Sequence, residues 1–423
     1  MQISAELRTL GRRAVDELSS VFERIDSVAL ENTERVLDAF REERISEASL
    51  HDSTGYGYGD AGRDATDRIA AKVFGGEAGF MRPAIICGTH ALTIGLFGIL
   101  RPGDVLLSVT GAPYDTLGEV IGTAGAPGNG SLADFGVKYR EVALKDGTVD
   151  MPEILKAVDA AGDSLKAVFI QRSKGYLNRK TLTVAEIGEI TREVKRRAKR
   201  DIYVIVDNCY GEFCETSEPA AVGADLIIGS MIKNPGGGMA DAGGYIVGTK
   251  RAVELCGYRL CSPGIGTEAG ASLGQNRNFL RGLFLAPHVV AEALKTAHFA
   301  AYVFDALGYK VSPGAFETRS DIIQTVSLGT PEGLVGFCRG IQSASPVDSF
   351  VSPEPWALPG YEDPVVMAAG AFVGGSSIEL SADGPLRAPY TAFLQGGLTF
   401  ESGMLGILAA AEYCTAAEKG GTK

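Results

Sequence analysis

The chain has 423 residues, 55 of them glycine, and a net charge of −12 from 40 Lys+Arg against 52 Asp+Glu. Its length allows two or three domains, and 45% hydrophobic with 22% charged residues is the composition of an ordinary globular protein. The acidic excess excludes the basic footprint of a nucleic-acid-binding surface, and no run of about 18 apolar residues suggests a membrane span. Residues 1–44 are charged throughout and lack an apolar core for secretion, so a cytoplasmic location is expected. The seven cysteines are odd in number and scattered, which is no disulfide framework. With four histidines and neither C-x-x-C nor H-x-x-x-H, no metal site is expected. Glycine runs well above the roughly 7% average. Such an excess marks either low-complexity sequence or many places where backbone turns sharply or approaches a ligand.

Residues 5–42 carry Phe22, Ile25, Ala29, Val36 and Phe40 at helical spacing and predict one or two helices. A glycine-tyrosine stretch at 54–62 precedes a helix over 65–74. Short apolar runs at 84–87, 104–109, 167–170, 203–206, 226–228 and 244–247 read as strands. Helical patterns at 91–100, 114–122, 152–161 and 183–200 fall between several of them. Wholly apolar strands alternating with helices predict an α/β fold, with a mainly parallel sheet covered on both faces. Ligands sit at the carboxyl ends of such strands. Beyond 285 the pattern changes to a helix at 286–307, a strand at 321–328, a helix at 331–342 and strand-like 368–372 and 377–380. This predicts a helical arm over 1–53, a large α/β domain over 54–285 and a small α+β domain over 286–423. The stretch GTAGAPGNGS at 122–131 has no evident role.

Asp207 closes the apolar strand DIYVIVD, where a carboxylate is costly unless something positive meets it. Lys233 follows the next strand after a Gly-Ser turn and precedes PGGGMADAGG. Singly, one reads as a turn or cap and the other as a surface lysine. Together, an acid at one strand end and a lysine at the next are what pyridoxal phosphate needs. The lysine forms a Schiff base, and the carboxylate keeps the pyridine nitrogen protonated so that the ring acts as an electron sink. The phosphate needs N–H groups at a helix N-terminus, and Cys87-Gly88-Thr89-His90 opens an apolar helix. Tyr114 in GAPYDTLG is placed to cover the ring, and Ser230 to add a hydroxyl to the phosphate.

These residues resemble fold type I pyridoxal phosphate enzymes. They are most similar to the methionine γ-lyase and cystathionine lyase group of carbon–sulfur lyases, in the bacterial branch of aluminium-resistance proteins. The resemblance runs from about Tyr56 to Phe400. It is most specific in DNCYGEF (207–213), GSMIKNPGGGMADAGGYIVG (229–248) and ELSADGPLRAPYTAFLQGGLTFESG (379–403). It implies a mainly parallel seven-stranded sheet flanked by helices. By it, Lys233 is the Schiff-base lysine and Asp207 the pyridinium partner. Gly88, Thr89, His90 and Ser230 lie at the phosphate, and Tyr114 stacks on the ring. Asn178 is expected at the cofactor's phenolic oxygen. The group's Tyr-x-Arg, which reaches the neighbouring subunit's phosphate, corresponds to Tyr58 and Arg63, although the spacing departs from it. Ile232 replaces a hydroxyl residue, and His90 a methionine. Arg387, with Arg172 as second choice, is expected to pair with the substrate carboxylate through its guanidinium fork.

The resemblance implies elimination of a thiol from a sulfur-containing amino acid, such as methionine, cystathionine or cysteine, giving a keto acid and ammonia. It also implies a homodimer or homotetramer with sites shared across the dimer. The alternatives are another fold type I activity (aminotransferase, aldolase or racemase) or a non-catalytic protein on this scaffold. A dinucleotide-binding oxidoreductase is disfavoured. Gly57-Tyr58-Gly59-Asp60-Ala61-Gly62 matches G-x-G-x-x-G, but neither the preceding strand nor the following acid is present.

Overall fold

The computed structural model describes residues 3–177, 179–357 and 363–420, with side chains through 415. The chain opens with α1 (Ala5–Glu17), α2 (Ser19–Glu42), α3 (Ala61–Val73), β1 (Ala78–Arg82), α4 (Gly88–Ile99), β2 (Val105–Ser108), α5 (Asp115–Ile121) and β3 (Lys138–Glu141). It continues through α6 (Met151–Ala161), β4 (Leu165–Gln171), α7 (Val184–Arg197), β5 (Tyr203–Asp207), β6 (Leu226–Ser230), β7 (Gly244–Gly248) and α8 (Lys250–Leu260). The rest is α9 (Asn276–Ala306), β8 (Lys310–Ser312), β9 (Gln324–Ser327), α10 (Pro331–Ser343), β10 (Val365–Ala368), β11 (Ser381–Pro385), β12 (Thr391–Gln395) and α11 (Phe400–Gly420). Contacts divide the chain into two compact units. One holds Glu34–Met231 and Met239–Phe284, the other Met1–Thr33, Ile232–Gly238 and Leu285–Lys423.

The larger unit is built on a seven-stranded sheet of order β1-β7-β6-β5-β4-β2-β3. Its strands are parallel except β7, which runs against both β6 and β1. Strands β2, β5, β6 and β7 are apolar and almost wholly buried because helices cover both faces. Helix α4 lies close on the sheet, since a Cβ at Gly95 would fall 2.3 Å from Ile228 Cδ1. Helix α7 starts at a capping box. Thr183 Oγ1 accepts the Glu186 N–H, and the Glu186 carboxylate accepts the Thr183 N–H. The first strand is not the expected 84–87. It is β1, and 84–87 form the turn feeding α4 after Pro83. Buried Arg82 hides β1 from an apolar-run reading. Strand β3, a mostly exposed edge reading Lys-Tyr-Arg-Glu, offers no apolar run either. The glycine-rich stretch at 122–131 is a surface turn fastened by Asp134, whose carboxylate accepts the N–H groups of Gly128, Gly130 and Ser131.

The second unit carries a five-stranded antiparallel sheet of order β10-β11-β12-β9-β8. Helices α10 and α11 approach closely at Gly340, where a Cβ would meet Ala410 Cα at 2.4 Å. By contacts, the chain up to Thr33 groups with this unit. Gly11 of α1 lies against Leu408 and Phe299, Phe22 packs edge-on to Phe400 at 5.1 Å, and Asp26 pairs with Lys295 at 2.7 Å. The strands expected at 368–372 and 377–380 fall instead at 365–368 and 381–385. Between them the buried Glu379 carboxylate accepts the N–H groups of Phe372 and Val373, which makes the segment a turn.

His298 in α9 is buried, its Nδ1–H donates to Ala315 O at 2.7 Å, and burial with nearby Arg319 pushes its pKa down to about 3. The unfolded chain takes up this proton near the ordinary histidine pKa of about 6.5, and the folded chain does not until near 3. Stability therefore falls as pH drops through that window. His298→Gln is expected to flatten the acid limb of a Tm-against-pH curve between those values. An unchanged slope would remove His298 from that role.

Candidate active site

Strand register sorts the residues by face. Asp207 pairs with Ile228 in the parallel β5–β6 ladder, so their side chains share a face, and Ser230 joins them two residues on. This is the face that α4 covers, because Gly95 abuts Ile228. Gln171 pairs with Asp207 from β4 and lies on the same face.

The N-terminus of α4 forms the centre of the site. Cys87 Sγ accepts the His90 N–H at 3.4 Å, and the Ala91 N–H returns to Cys87 O at 3.0 Å. The N–H groups of Gly88 and Thr89 are left outside the helix ladder, at its positive end. A Cβ on Gly88 would stand 3.6 Å from Cys209 Sγ and 3.7 Å from Ser230 Cβ, so these two residues floor the space. Ser230 is 1% exposed, and its Oγ has no hydrogen-bond partner among the described residues. A buried orphan hydroxyl costs about 1–3 kcal/mol. Beside a helix N-terminus it fits a ligand phosphate oxygen. Thr89 Oγ1 is hydrogen-bonded to Tyr114 OH and lies 3.1 Å from Thr116 Oγ1. Gln171 Oε1 accepts the Tyr114 N–H at 2.8 Å and fixes where α5 begins. Asp207 is buried, and its Oδ1 accepts the Cys209 N–H at 3.2 Å.

The structure thus brings Gly88, Thr89, Tyr114, Asp207 and Ser230 to one face. Lys233 stands three residues beyond Ser230, at the head of a short 3₁₀ turn over Asn234–Gly236. Several other expected residues have partners within the chain. The His90 ring folds back, its Nδ1 accepting the Ile86 N–H at 3.1 Å. Burial and Arg259 lower its pKa, so it closes the turn before α4 as a neutral group. Arg63 is 3% exposed, and its fork is committed to Asp64 and to the carbonyls of Gly57, Gly270 and Glu268. It therefore braces the glycine-tyrosine loop instead of reaching outward. Tyr56 and Tyr58 stand on that loop at 79% and 62% exposure. Arg172 is fully buried and held by Glu215 at 2.8 Å, Asn208 at 2.8 Å and Glu218 at 3.4 Å. Arg387 lies half-exposed after β11 and pairs with Asp363 at 3.1 Å. Asn178 lies outside the described residues. Gln171 was missed, although it carries the same signal as Asp207: a polar residue ending an apolar strand.

The family model for methionine gamma-lyase matches residues 7–415. The chain belongs to this family. Its methionine gamma-lyase membership assigns pyridoxal 5′-phosphate as the cofactor and fold type I as the architecture. The chain is 50% identical to the uncharacterized protein YnbB of Bacillus subtilis (strain 168), over 91% of this chain and 90% of that one. It is similar to the structure of a carbon-sulfur lyase involved in aluminum resistance from Clostridium novyi NT, at 48% identity and TM-score 0.93, covering 97% and 96% of the two chains. It shares its fold alone with the pyridoxal-5′-phosphate dependent protein YhfS of Escherichia coli, at 15% identity, TM-score 0.61, and 93% and 97% coverage. Among the described residues of this methionine gamma-lyase family member, no group of three or more His, Cys, Asp or Glu could hold a metal ion. No described helix is long and apolar enough to cross a membrane. Ser230→Ala is expected to weaken retention of pyridoxal phosphate roughly tenfold through loss of a charge-assisted hydrogen bond. Dialysis against cofactor-free buffer measures this, and retention equal to wild type would take Ser230 out of the phosphate site.

Proposed function

We propose that the protein is a carbon–sulfur lyase that removes a thiol from a sulfur-containing amino acid, releasing a keto acid and ammonia. Family membership and the likeness to a carbon-sulfur lyase support the reaction class. The orphaned Ser230 hydroxyl beside Gly88, on the face that carries Asp207, is the observation that supports the cofactor's seat. Gly88, Thr89 and Ser230 would hold the phosphate, Tyr114 would cover the ring, and Asp207 would hold a proton on the ring nitrogen. When bound, pyridoxal phosphate supplies a sink for negative charge at the substrate α-carbon. Lys233 would hold the group, and its Nζ would take the α-proton as general base. The exposed Tyr56 and Tyr58, on backbone braced by Arg63, support a site completed by a second copy of the chain. Incubation of the pyridoxal phosphate-loaded protein with cystathionine, methionine and cysteine tests the reading. Keto acid, ammonia and thiol in equal amounts are expected. A keto acid without thiol, or racemised substrate, would replace the lyase with another fold type I activity.

A further inference from the structure

We propose that the buried hydrogen-bond chain Glu212–Tyr245–Asn208 positions Asp207 from the reverse face of the sheet and so sets how firmly the cofactor is held. The proposal rests on the pyridoxal phosphate reading above. Side chains alternate along a strand, so Asn208 points away from the face that carries Asp207. Tyr245 pairs with Gly229 in the β6–β7 ladder and therefore also lies opposite Ser230. Behind the site, Tyr245 OH donates to Glu212 Oε1 at 2.7 Å, and Asn208 Nδ2 donates to Tyr245 OH at 3.3 Å. Asn208 Nδ2 also donates to Glu218 Oε2 at 3.0 Å, and its Oδ1 accepts from Arg172 at 2.8 Å. Asn208, Glu212 and Tyr245 are each 0% exposed.

The backbone transmits this hold. The Arg172 N–H donates to Asp207 O, and the Asn208 N–H donates to Ile228 O, each at 3.0 Å. The peptide between Asp207 and Asn208 is thus tied to β4 on one side and β6 on the other. The Asn208 side chain is fastened beneath it, which leaves only the Asp207 side-chain torsions to set the carboxylate. The neighbouring strand makes room for the chain. A Cβ at Gly229, the residue before Ser230, would lie 2.5 Å from the Tyr245 ring and 2.7 Å from Glu212 Oε1. Packing alone would not require these polar atoms, because the Tyr245 ring already stacks on Phe74 at 4.9 Å. A buried carboxylate and phenol hydroxyl are costly except as hydrogen-bond partners. Around them, Arg172 is balanced by Glu215 and Glu218, and Cys209, Cys214 and Arg35 are the other ionisable groups nearby. Glu212 lies in the DNCYGEF segment, and sequence reasoning assigned it no role.

Four proteins, each loaded with pyridoxal phosphate, test the inference: wild type, Tyr245→Phe, Glu212→Ala and Glu212→Gln. The readouts are the cofactor dissociation constant and the pH midpoint of the bound cofactor's colour change. Tyr245→Phe keeps the ring on Phe74 and loses only the hydroxyl. It is expected to weaken cofactor binding about tenfold and to move the midpoint by roughly half a unit or more. Glu212→Ala should do the same, and Glu212→Gln, which still accepts the Tyr245 proton, should restore both readouts to within about threefold and a few tenths of a unit. Tyr245→Phe with wild-type affinity and midpoint would reduce the chain to core packing and overturn the proposal. A Glu212→Gln protein no better than Glu212→Ala would overturn it as well. A wild-type protein that stays colourless with added pyridoxal phosphate would instead refute the cofactor reading, a result distinct from both.

Discussion

Lys233→Ala is expected to lower kcat for thiol release by roughly 10³-fold or more, because one residue serves as covalent anchor and as base. The same variant should lose covalent cofactor. After borohydride reduction, the intact mass of wild type should carry one pyridoxal phosphate and that of Lys233→Ala none. The backbone around Lys233 suits one fixed position. The 3₁₀ turn that follows contains Pro235, and Gly237 at φ 51° ends it in a conformation that side-chain-bearing residues rarely adopt. A reduced adduct surviving in Lys233→Ala, or turnover within tenfold of wild type, would move the anchor to another lysine.

Arg172→Met should cost about 3–5 kcal/mol of stability, because it leaves the buried Glu218 carboxylate, with the partly exposed Glu215 beside it, without its cation. Glu218 is 1% exposed, and burial pushes its carboxyl pKa up even against the pull of Arg172. Burial also disfavours the charged guanidinium, but Glu218 and Glu215 outweigh it and raise the pKa of Arg172. Gly211 makes space for the arginine, since a Cβ there would stand 2.5 Å from Nη1. For a chain of this size the loss corresponds to a fall in Tm of roughly 3–6 °C, read by calorimetry. A Tm unchanged within a degree or two, with KM for the amino acid raised instead, would return Arg172 to the substrate.

Asp207, Ser230 and the α4 N-terminus were legible because their signal is local. A polar group at the end of an apolar strand, or a glycine opening an apolar helix, stands out within ten residues. The partners of Arg63 and Arg172 were not legible because they are distant. Arg172 meets Glu215 and Glu218 across 43 and 46 residues of sequence, and Arg63 meets Gly270 across 207. Nothing near either arginine says whether its fork is free. The apolar strands of the large sheet could be read, whereas β1 was masked by a buried charge and β3 by its exposure. The domain division was hidden for another reason. It falls within α2 and within α9, where helical periodicity runs on unbroken and no linker composition marks a boundary.

That division constrains the order in which the protein can be made. The chain passes between the units after residues 33, 231, 238 and 284. The first helix therefore leaves the ribosome about 400 residues before α11, against which it packs. Until the last strand and helix have been synthesised, the apolar stripe of α1 and the segment bearing Lys233 lack the unit they belong to. Assembly of the lysine-bearing unit consequently waits for synthesis of α11, and a fragment ending before α11 cannot complete it.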